Sequence, residues 1–284
     1  MEFDIWHNQY KKVEDIYSKD NWRVELNELA TSNICVIYFS SNNIWYPNTE
    51  EAFDRSFVNN DYYEWAKYGC LKARKVIYVR DIYKSWYVTG INTRVNSVDK
   101  LIDLLKQEIQ GMQIITVGSS AGGYMAVLMG CKLKAEYVLC FSAQFTLLEK
   151  GCLDKNPLLH QYHNDNKRNL YYDLCGLLAE NCVPIYYIMP AYCLEDVRQY
   201  KHISSFEHIF TIKISTKRHG VPVLKCNLPE LLEMDDAKLK KLYEHYSGKI
   251  VNPITFSIHI SGIKKTFIGL LKEILRIIKK RKSR

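Results

Sequence analysis

The sequence predicts an α/β fold with one doubly wound, mostly parallel sheet of about six or more strands. Three observations support it: short apolar segments have the pattern of buried strands, helical patterns lie between most of them, and no repeat or linker divides the chain before about residue 247. The 284 residues are 47% hydrophobic and 25% charged, an ordinary globular balance. No apolar run approaches the roughly 18 residues that a membrane-spanning helix needs.

Six short segments, rich in β-branched and aromatic residues, are predicted strands. Their continuous apolar character is typical of a sheet that is covered on both faces. They are Ile34–Ser41, Lys75–Asp81, Ile114–Ser120, Tyr137–Ala143, Val183–Pro190 and Phe210–Thr216. Helical patterns follow over residues 97–110, 122–133, 167–180, 196–206 and 228–246. This alternation predicts one catalytic domain over residues 1–250 and a C-terminal segment over residues 251–284.

The positive charge of the chain is concentrated at its C-terminal end. Residues 264–284 hold nine Lys and Arg and one acid, a net charge of +8, which equals the formal net charge of the whole chain. The rest of the chain is therefore neutral in sum, and we expect no nucleic-acid partner. Nine cysteines without a C-x-x-C pair, and acids in Met1–Ile5 where a secretion signal would be basic, predict reduced thiols and a cytoplasmic location.

Gly118–Gly123 (GSSAGG) directly follows a predicted strand and directly precedes a helical pattern. A G-x-S-x-G sequence in this context predicts a sharp turn that projects the hydroxyl of Ser120 above the sheet as a nucleophile. A glycine-rich packing turn without chemistry is the alternative interpretation. A phosphate-binding loop would need a Lys-Ser/Thr pair or G-x-G-x-x-G, and neither is present.

A serine nucleophile needs a histidine as its base, and in this kind of sheet the histidine follows the last strand. Among the eight histidines, His219 alone comes immediately after a predicted strand, and Gly220 lets the chain turn there. His219 is therefore the predicted base. A surface histidine in a basic loop is the alternative interpretation, with His245 and His259 as distant alternative bases.

The acid that orients the histidine should follow the strand over residues 183–190. Asp196 is the predicted acid, and Glu195 beside it is the alternative, because the sequence does not separate such close neighbours. Asp173 lies before that strand and is not expected to take this role. The predicted oxyanion donors are the backbone N–H groups of Ala121 and Ser41, with Asn42 as the second choice to Ser41.

Aromatic residues follow several predicted strands, and they could stack on sugar rings or pack in the core. They are Trp45, Tyr46, Trp65, Trp86 and Tyr87. No cluster of histidines, cysteines and carboxylates has the spacing of metal ligands, so no metal site is predicted.

Over roughly residues 30–250, the turn with Ser120, the acid and His219–Gly220 resemble the α/β-hydrolase superfamily. The pairing of Ile37–Ser41 (IYFSS) with GSSAGG is similar to bacterial surface-polysaccharide enzymes of this fold, the capsule O-acetyltransferases. This resemblance implies an α/β-hydrolase-like fold. It also implies transfer of an acetyl group from acetyl-CoA to a carbohydrate hydroxyl in capsule biosynthesis, with acetyl-CoA as a co-substrate and no bound cofactor. Ala121 stands where the capsule enzyme has a lysine, so the resemblance does not fix the acyl donor or the acceptor. A carboxylesterase or deacetylase with an acyl-ester substrate, or a non-catalytic scaffold, stays open.

The C-terminal sequence over residues 264–284 alternates apolar and basic residues at helical spacing. A helix of this kind lies in a membrane interface and is attracted to anionic lipid. The alternative is a helix packed on the sheet with a solvated basic end. We therefore expect a cytoplasmic protein with peripheral contact to the inner membrane through residues 264–284.

Overall fold

The computed structural model describes residues 11–154 and 156–282. The described residues contain eight strands, and all eight belong to a single sheet.

 Each of the six predicted strands is present, and its ends differ from the predicted ends by at most two residues. The strands are β1 Trp22–Leu26, β2 Ile34–Phe39, β3 Lys75–Val79, β4 Gln113–Ser119, β5 Tyr137–Phe141, β6 Ile185–Pro190, β7 Ile209–Ile214 and β8 Ile250–Val251.

The strand order across the sheet is β1-β3-β2-β4-β5-β6-β7-β8. Only β1 runs antiparallel to its neighbour, and every other pairing is parallel. The predicted fold class, a mostly parallel sheet of six or more strands, is therefore confirmed. The sequence did not predict β1, which lies at an edge and is half-exposed, or β8, which has two residues.

Helices connect these strands and cover both faces of the sheet. They are α1 Lys11–Tyr17, α2 Glu50–Phe53, α3 Val98–Glu108, α4 Ala121–Leu133, α5 Lys150–Leu153, α6 Pro157–Tyr162, α7 Cys175–Ala179, α8 Leu194–Ile203, α9 Leu228–Glu233, α10 Asp236–Tyr246 and α11 Pro253–Lys282. A π-helical turn, Asp54–Val58, continues α2, and a 3-10 turn, Lys225–Asn227, precedes α9.

Two predicted helices differ from the structure. The pattern over residues 167–180 forms a helix only at α7, because turns occupy the residues before it. The pattern over residues 228–246 divides into α9 and α10, since Asp235 accepts a hydrogen bond from the Lys238 N–H at 2.9 Å and starts a new helix there.

The sheet separates two apolar cores, because successive side chains of a strand point to opposite faces. Ile37 of β2 packs in the core that includes α3 and α4, whereas Val36 and Tyr38 pack in the core that includes α9 and α10. The parallel strands end at one edge of the sheet, and the loops after β2, β4, β6 and β7 meet there. This edge positions the candidate site described below.

The last helix, α11, is interrupted at Gly262, whose φ of 77° and ψ of 165° are not helical. None of the described helices combines the length and apolar character needed to cross a bilayer. The division into residues 1–250 and 251–284 stays a prediction. Parts of both ranges, residues 1–10, 155, 283 and 284, lie outside the described residues.

Candidate active site

Ser120 occupies the sharp turn between β4 and α4. Its φ of 53° and ψ of −122° are unusual for a residue with a side chain, and strained backbone of this kind persists only where the surroundings hold it. The Ser120 N–H donates to the Phe141 carbonyl at 2.9 Å, and its own carbonyl accepts from the Tyr124 N–H at 3.0 Å. The neighbouring strand and the first turn of α4 therefore fix the serine in this conformation.

The glycines on either side of Ser120 allow the close packing that the turn requires. A Cβ atom at Gly118 would lie 2.0 Å from the Gly122 carbonyl oxygen. A Cβ atom at Gly122 would lie 2.2 Å from the Phe39 carbonyl oxygen at the end of β2. Both distances are far inside van der Waals contact, so neither position accommodates a larger residue without a backbone shift.

A chain of two hydrogen bonds joins Ser120, His219 and Asp196. The Ser120 Oγ lies 2.8 Å from His219 Nε2, and His219 Nδ1 lies 2.8 Å from Asp196 Oδ2. With Nδ1 protonated and bonded to the carboxylate, Nε2 is left to accept the serine proton. The three predicted residues are thus together, with the imidazole between the hydroxyl and the carboxylate.

The loops after β6 and β7 bring the acid and the histidine to this point. Asp196 lies in the first turn of α8 and its side chain is 1% exposed, whereas Glu195 beside it is exposed. The carboxylate at His219 is therefore Asp196 and not Glu195, a choice that the sequence left open. His219 follows β7, and Gly220 after it has a φ of 97°, a conformation that glycine adopts easily.

The alternative histidines and the remaining acid lie in other environments. His259 Nδ1 lies 2.7 Å from the Tyr246 hydroxyl, and the His245 ring packs beside the His259 ring. Asp173 forms an ion pair of 2.8 Å with His202, at the other end of α8 from Asp196. None of these groups takes part in the hydrogen bonds of Ser120 described above.

One predicted oxyanion donor already has a partner. The Ser41 N–H donates to Glu64 Oε2 at 2.5 Å, and the Ser41 hydroxyl donates to Glu64 Oε1 at 2.9 Å. Ala121, the other predicted donor, begins α4 directly after Ser120, and Asn42 is half-buried beside Ser41. Ser41 and Ser120 line the same cavity, so the Glu64 carboxylate occupies a backbone donor on the same cavity wall as Ser120.

Glu64 is a functional candidate that the sequence did not single out. Burial raises the pKa of its carboxyl, and the hydrogen bonds from Ser41 oppose that shift. Its position depends on the long segment between β2 and β3, which has no strong periodic pattern. No signal in the sequence connects residue 64 to Ser41.

A cavity of about 860 Å³ opens above Ser120 and His219. Tyr46, Tyr62 and Trp65 lie in its wall, and Tyr46 and Tyr62 are exposed. Trp45, Trp86 and Tyr87, the other aromatic residues considered from the sequence, are buried. The same wall includes the basic residues Lys67, Arg218 and Lys225 and the acids Glu64 and Glu273.

Two groups of described residues place one cysteine, one aspartate and one histidine ligand atom within 4.8 Å of one another. One group comprises Cys193, Asp196 and His219. It includes the histidine that is hydrogen-bonded to Ser120 and the aspartate that is hydrogen-bonded to that histidine. The other group comprises Asp173, Cys175 and His202. There the Asp173 carboxylate lies 2.8 Å and the Cys175 thiol 3.2 Å from His202 Nε2. The sequence predicted no metal ligands, because residues 175 and 202 are far apart along the chain.

Burial and the hydrogen bond with Asp196 raise the pKa of the Cys193 thiol above its ordinary value. The thiol therefore stays protonated at neutral pH and is a poor nucleophile. Of the polar groups around His219, the Ser120 hydroxyl is the one that the imidazole contacts through Nε2. The arrangement suits proton removal from an oxygen nucleophile.

The parallel sheet with one antiparallel edge strand, the turn at Ser120 and the order serine, aspartate, histidine define an α/β-hydrolase fold. The comparisons with solved structures find a capsule O-acetyltransferase and a lipase-esterase related protein among the similar chains, all at low sequence identity. No protein-family model and no curated protein sequence matches the chain.

Three solved structures illustrate the similarity. The capsule O-acetyltransferase of Neisseria meningitidis serogroup A is 13% identical, with a TM-score of 0.47 over 80% of this chain and 91% of that chain. A lipase-esterase related protein from Clostridium acetobutylicum is 16% identical, with a TM-score of 0.44 over 81% and 100% of the two chains. MenH from S. aureus is 13% identical, with a TM-score of 0.42 over 80% and 97%.

Proposed function

We propose that the protein is a serine acyltransferase that moves an acetyl group from acetyl-CoA to a carbohydrate hydroxyl, in the synthesis of a surface polysaccharide such as a bacterial capsule. The observation that carries the proposal is the unbroken series of hydrogen bonds from Asp196 through His219 to Ser120, at the base of a large cavity. Ser120 is the nucleophile, His219 the general base and acid, and Asp196 the group that orients the imidazole.

In the first half of the reaction, Ser120 Oγ attacks the acyl carbonyl while His219 Nε2 takes the hydroxyl proton. The negative charge that develops on the carbonyl oxygen needs backbone donors, for which Ala121 and Ser41 are the candidates. Because Glu64 is bonded to the Ser41 N–H, the carbonyl oxygen must displace that carboxylate to use the second donor. The thiolate then leaves and takes the proton from His219, which leaves an acyl-serine.

In the second half, His219 takes a proton from the acceptor hydroxyl, whose oxygen attacks the acyl carbon of the acyl-serine. The bond from that carbon to Ser120 Oγ then breaks, Ser120 Oγ takes the proton from His219, and the esterified sugar is released. The exposed rings of Tyr46 and Tyr62 in the cavity wall suit stacking on a sugar. Lys67 and Arg218 in the same wall suit the phosphates of an acyl-CoA donor. All nine cysteines are free, which favours the cytoplasm, where acetyl-CoA is available.

Intact-mass spectrometry tests the proposal directly. Wild type and Ser120→Ala are incubated briefly with acetyl-CoA or p-nitrophenyl acetate. We expect wild type alone to gain about 42 Da, the mass of an acetyl group in place of a proton. The adduct from acetyl-CoA should be discharged faster by glycan than by water. An equal adduct in Ser120→Ala, or no adduct and no turnover with either donor, would contradict the proposal.

Ester hydrolysis is the second candidate function, and the exposure of the imidazole favours it. The His219 side chain is 32% exposed, so water has access to the atom that would activate it. Hydrolysis uses the same acyl-serine and differs only in the second nucleophile. If discharge of the adduct is as fast without glycan as with it, the protein is an esterase.

A further inference from the structure

The part of α11 after Gly262 contacts the rest of the protein through one narrow face. Thr266 is 2% exposed, and its hydroxyl lies 2.9 Å from the Ser257 hydroxyl. A Cβ atom at Gly269 would lie 2.6 Å from Cys226 Sγ, so the helix approaches the turn before α9 closely. Glu273 lies 3.9 Å from Arg218, next to His219. Small and polar residues therefore make these contacts, while most of the large apolar residues in this part of the helix are exposed.

Those large apolar residues form a continuous exposed surface along the same helix. Phe267 is 62% exposed, and four further apolar residues on the same side of the helix are exposed by 45% or more. We call this surface the apolar stripe; it comprises Ile263, Phe267, Leu271, Ile274 and Ile278. At 100° per residue the five positions fall within an arc of roughly 80°. The stripe extends for about 22 Å at 1.5 Å per residue.

Basic residues accompany the apolar stripe. Lys264 and Lys272 are exposed beside it, and residues 264–284 together have a net charge of +8. An exposed apolar face next to concentrated positive charge is the arrangement of a helix that lies in the interface of an anionic bilayer. A second copy of the chain is a poorer occupant, since a pair of these helices would bring two segments of charge +8 together.

We propose that the apolar stripe inserts into the surface of an anionic membrane and holds the candidate active site beside that surface. The helix that carries the stripe also carries Gly269 and Glu273, which line the cavity above Ser120. One wall of the cavity is therefore the docked face of the membrane-binding helix. The consequence for substrate rests on the proposed function: the acceptor is a carbohydrate presented at the membrane surface.

Vesicle sedimentation tests the membrane proposal without reference to catalysis. The full chain is mixed with vesicles of phosphatidylcholine alone, or of phosphatidylcholine with about a third phosphatidylglycerol. We expect sedimentation only with the anionic vesicles and a decrease at high salt. The triple variant Phe267→Ser, Leu271→Ser, Ile274→Ser should bind more than about tenfold more weakly. Lys264→Gln and Lys272→Gln should each weaken binding by about fivefold.

Exposed leucines elsewhere provide the matched control. Leu29 is 92% and Leu71 81% exposed, so Leu29→Ser with Leu71→Ser removes comparable apolar surface away from α11. This double variant should sediment like wild type. No sedimentation of wild type with anionic vesicles, or equal loss in the control, would overturn the proposal. A wild-type dimer in light scattering that the triple variant abolishes would instead identify a second copy as the occupant.

The same variants separate failure of the membrane proposal from failure of the proposed function. Ser120→Ala should bind vesicles like wild type, because the serine lies at the base of the cavity. The triple variant should keep its turnover of p-nitrophenyl acetate, since a soluble ester needs no membrane. A chain that binds vesicles but has no acyl-serine chemistry would be a membrane protein of another function.

Discussion

α4 and the last part of α11 are both rich in apolar residues, yet their surroundings differ. Every residue of α4 is buried except Lys132, which is half-buried. The helix lies on the sheet behind Ser120, with strands β2, β4 and β5 beside it. The apolar side chains of α11 beyond Gly262 are mostly exposed, and that helix contacts the protein through Thr266 and Gly269.

The difference shows that apolar content alone does not determine where a helix packs. Glycines at positions 122, 123 and 130 of α4 let the backbone approach the sheet, so the apolar residues around them are covered. In α11 beyond Gly262, by contrast, Gly269 is the glycine that closely approaches another segment, and Phe267, Leu271 and Ile274 are exposed. α4 therefore contributes to the core directly after Ser120, whereas α11 beyond Gly262 leaves an apolar surface exposed.

The largest expected effect concerns the chemistry at the start of α4. His219→Ala should lower kcat with p-nitrophenyl acetate by about 10⁶-fold, as loss of the general base does in a serine hydrolase. Asp196→Asn should lower it by about 10⁴-fold, because the imidazole then takes the wrong tautomer. Steady-state kinetics measures both effects.

His202→Ala is the matched control for these two variants. His202 lies in α8 and its ring also pairs with an aspartate, but the other group at its Nε2 is the Cys175 thiol and not a serine. Its kcat should stay within about threefold of wild type, the ordinary range for a residue that does not touch substrate. A loss equal to that of His219→Ala would mean that the reaction centre is not at Ser120.

A direct test of the comparison removes one leucine from each helix. Leu128 of α4 is fully buried, so Leu128→Ala should lower the free energy of unfolding by about 4 kcal/mol. Leu271 of α11 is 45% exposed, and Leu271→Ala should change it by less than about 0.5 kcal/mol. Urea denaturation measures both. An equal cost at Leu271 would show that the stripe is packed against the protein.

Adding a methyl group at a glycine tests the close approaches of the two helices. Gly122→Ala should cost about 3 kcal/mol, because the new Cβ meets the rigid backbone at Phe39. Gly269→Ala should cost about 1 kcal/mol, since the Cys226 side chain can move. In Gly176→Ala, with no heavy atom within 4 Å of the new Cβ, stability should rise by about 0.5 kcal/mol. A cost at Gly122 no larger than at Gly269 would contradict the rigid-turn account.

The sequence predicted the parts of the molecule that depend on local pattern. Buried parallel strands are continuous apolar segments, so β2 to β7 were found with small errors at their ends. Ser120 was found because its turn needs glycines at fixed spacing on both sides. The order of strands then limited the histidine and the acid to the loops after β7 and β6, where His219 and Asp196 lie.

Features that depend on contacts between distant segments were not predictable. Nothing near Glu64 in the sequence indicates that its carboxylate reaches the Ser41 N–H, 23 residues away. Asp196 was preferred to Glu195, but the sequence did not separate them, because what distinguishes them is that the Asp196 side chain is buried against His219 and that of Glu195 is exposed. The sequence also left open which face of the C-terminal helix packs, because close contacts such as those of Thr266 and Gly269 depend on distant segments.

The smallest effect concerns the donor beside Ser120 that Glu64 occupies. Glu64→Gln replaces a charged acceptor of the Ser41 N–H with a neutral one, which binds that donor less strongly. The substrate oxygen then displaces it more easily, and kcat/KM with p-nitrophenyl acetate should rise about fivefold. The gain should shrink as pH falls, because the wild-type carboxyl, whose pKa burial raises, becomes neutral as well.

Glu233→Gln is the matched control, because Glu233 also accepts backbone N–H groups, from Leu71 and Lys72, but away from the cavity. It should leave kcat/KM unchanged.

The stability of Glu64→Gln gives a second measurement. A carboxyl with a raised folded-state pKa stabilises the fold at low pH and loses that contribution as pH rises through the raised value. The glutamine variant should therefore be more stable than wild type at neutral pH, with the difference vanishing toward acid. A lower kcat/KM in Glu64→Gln at every pH would instead make the carboxylate a group that the reaction needs.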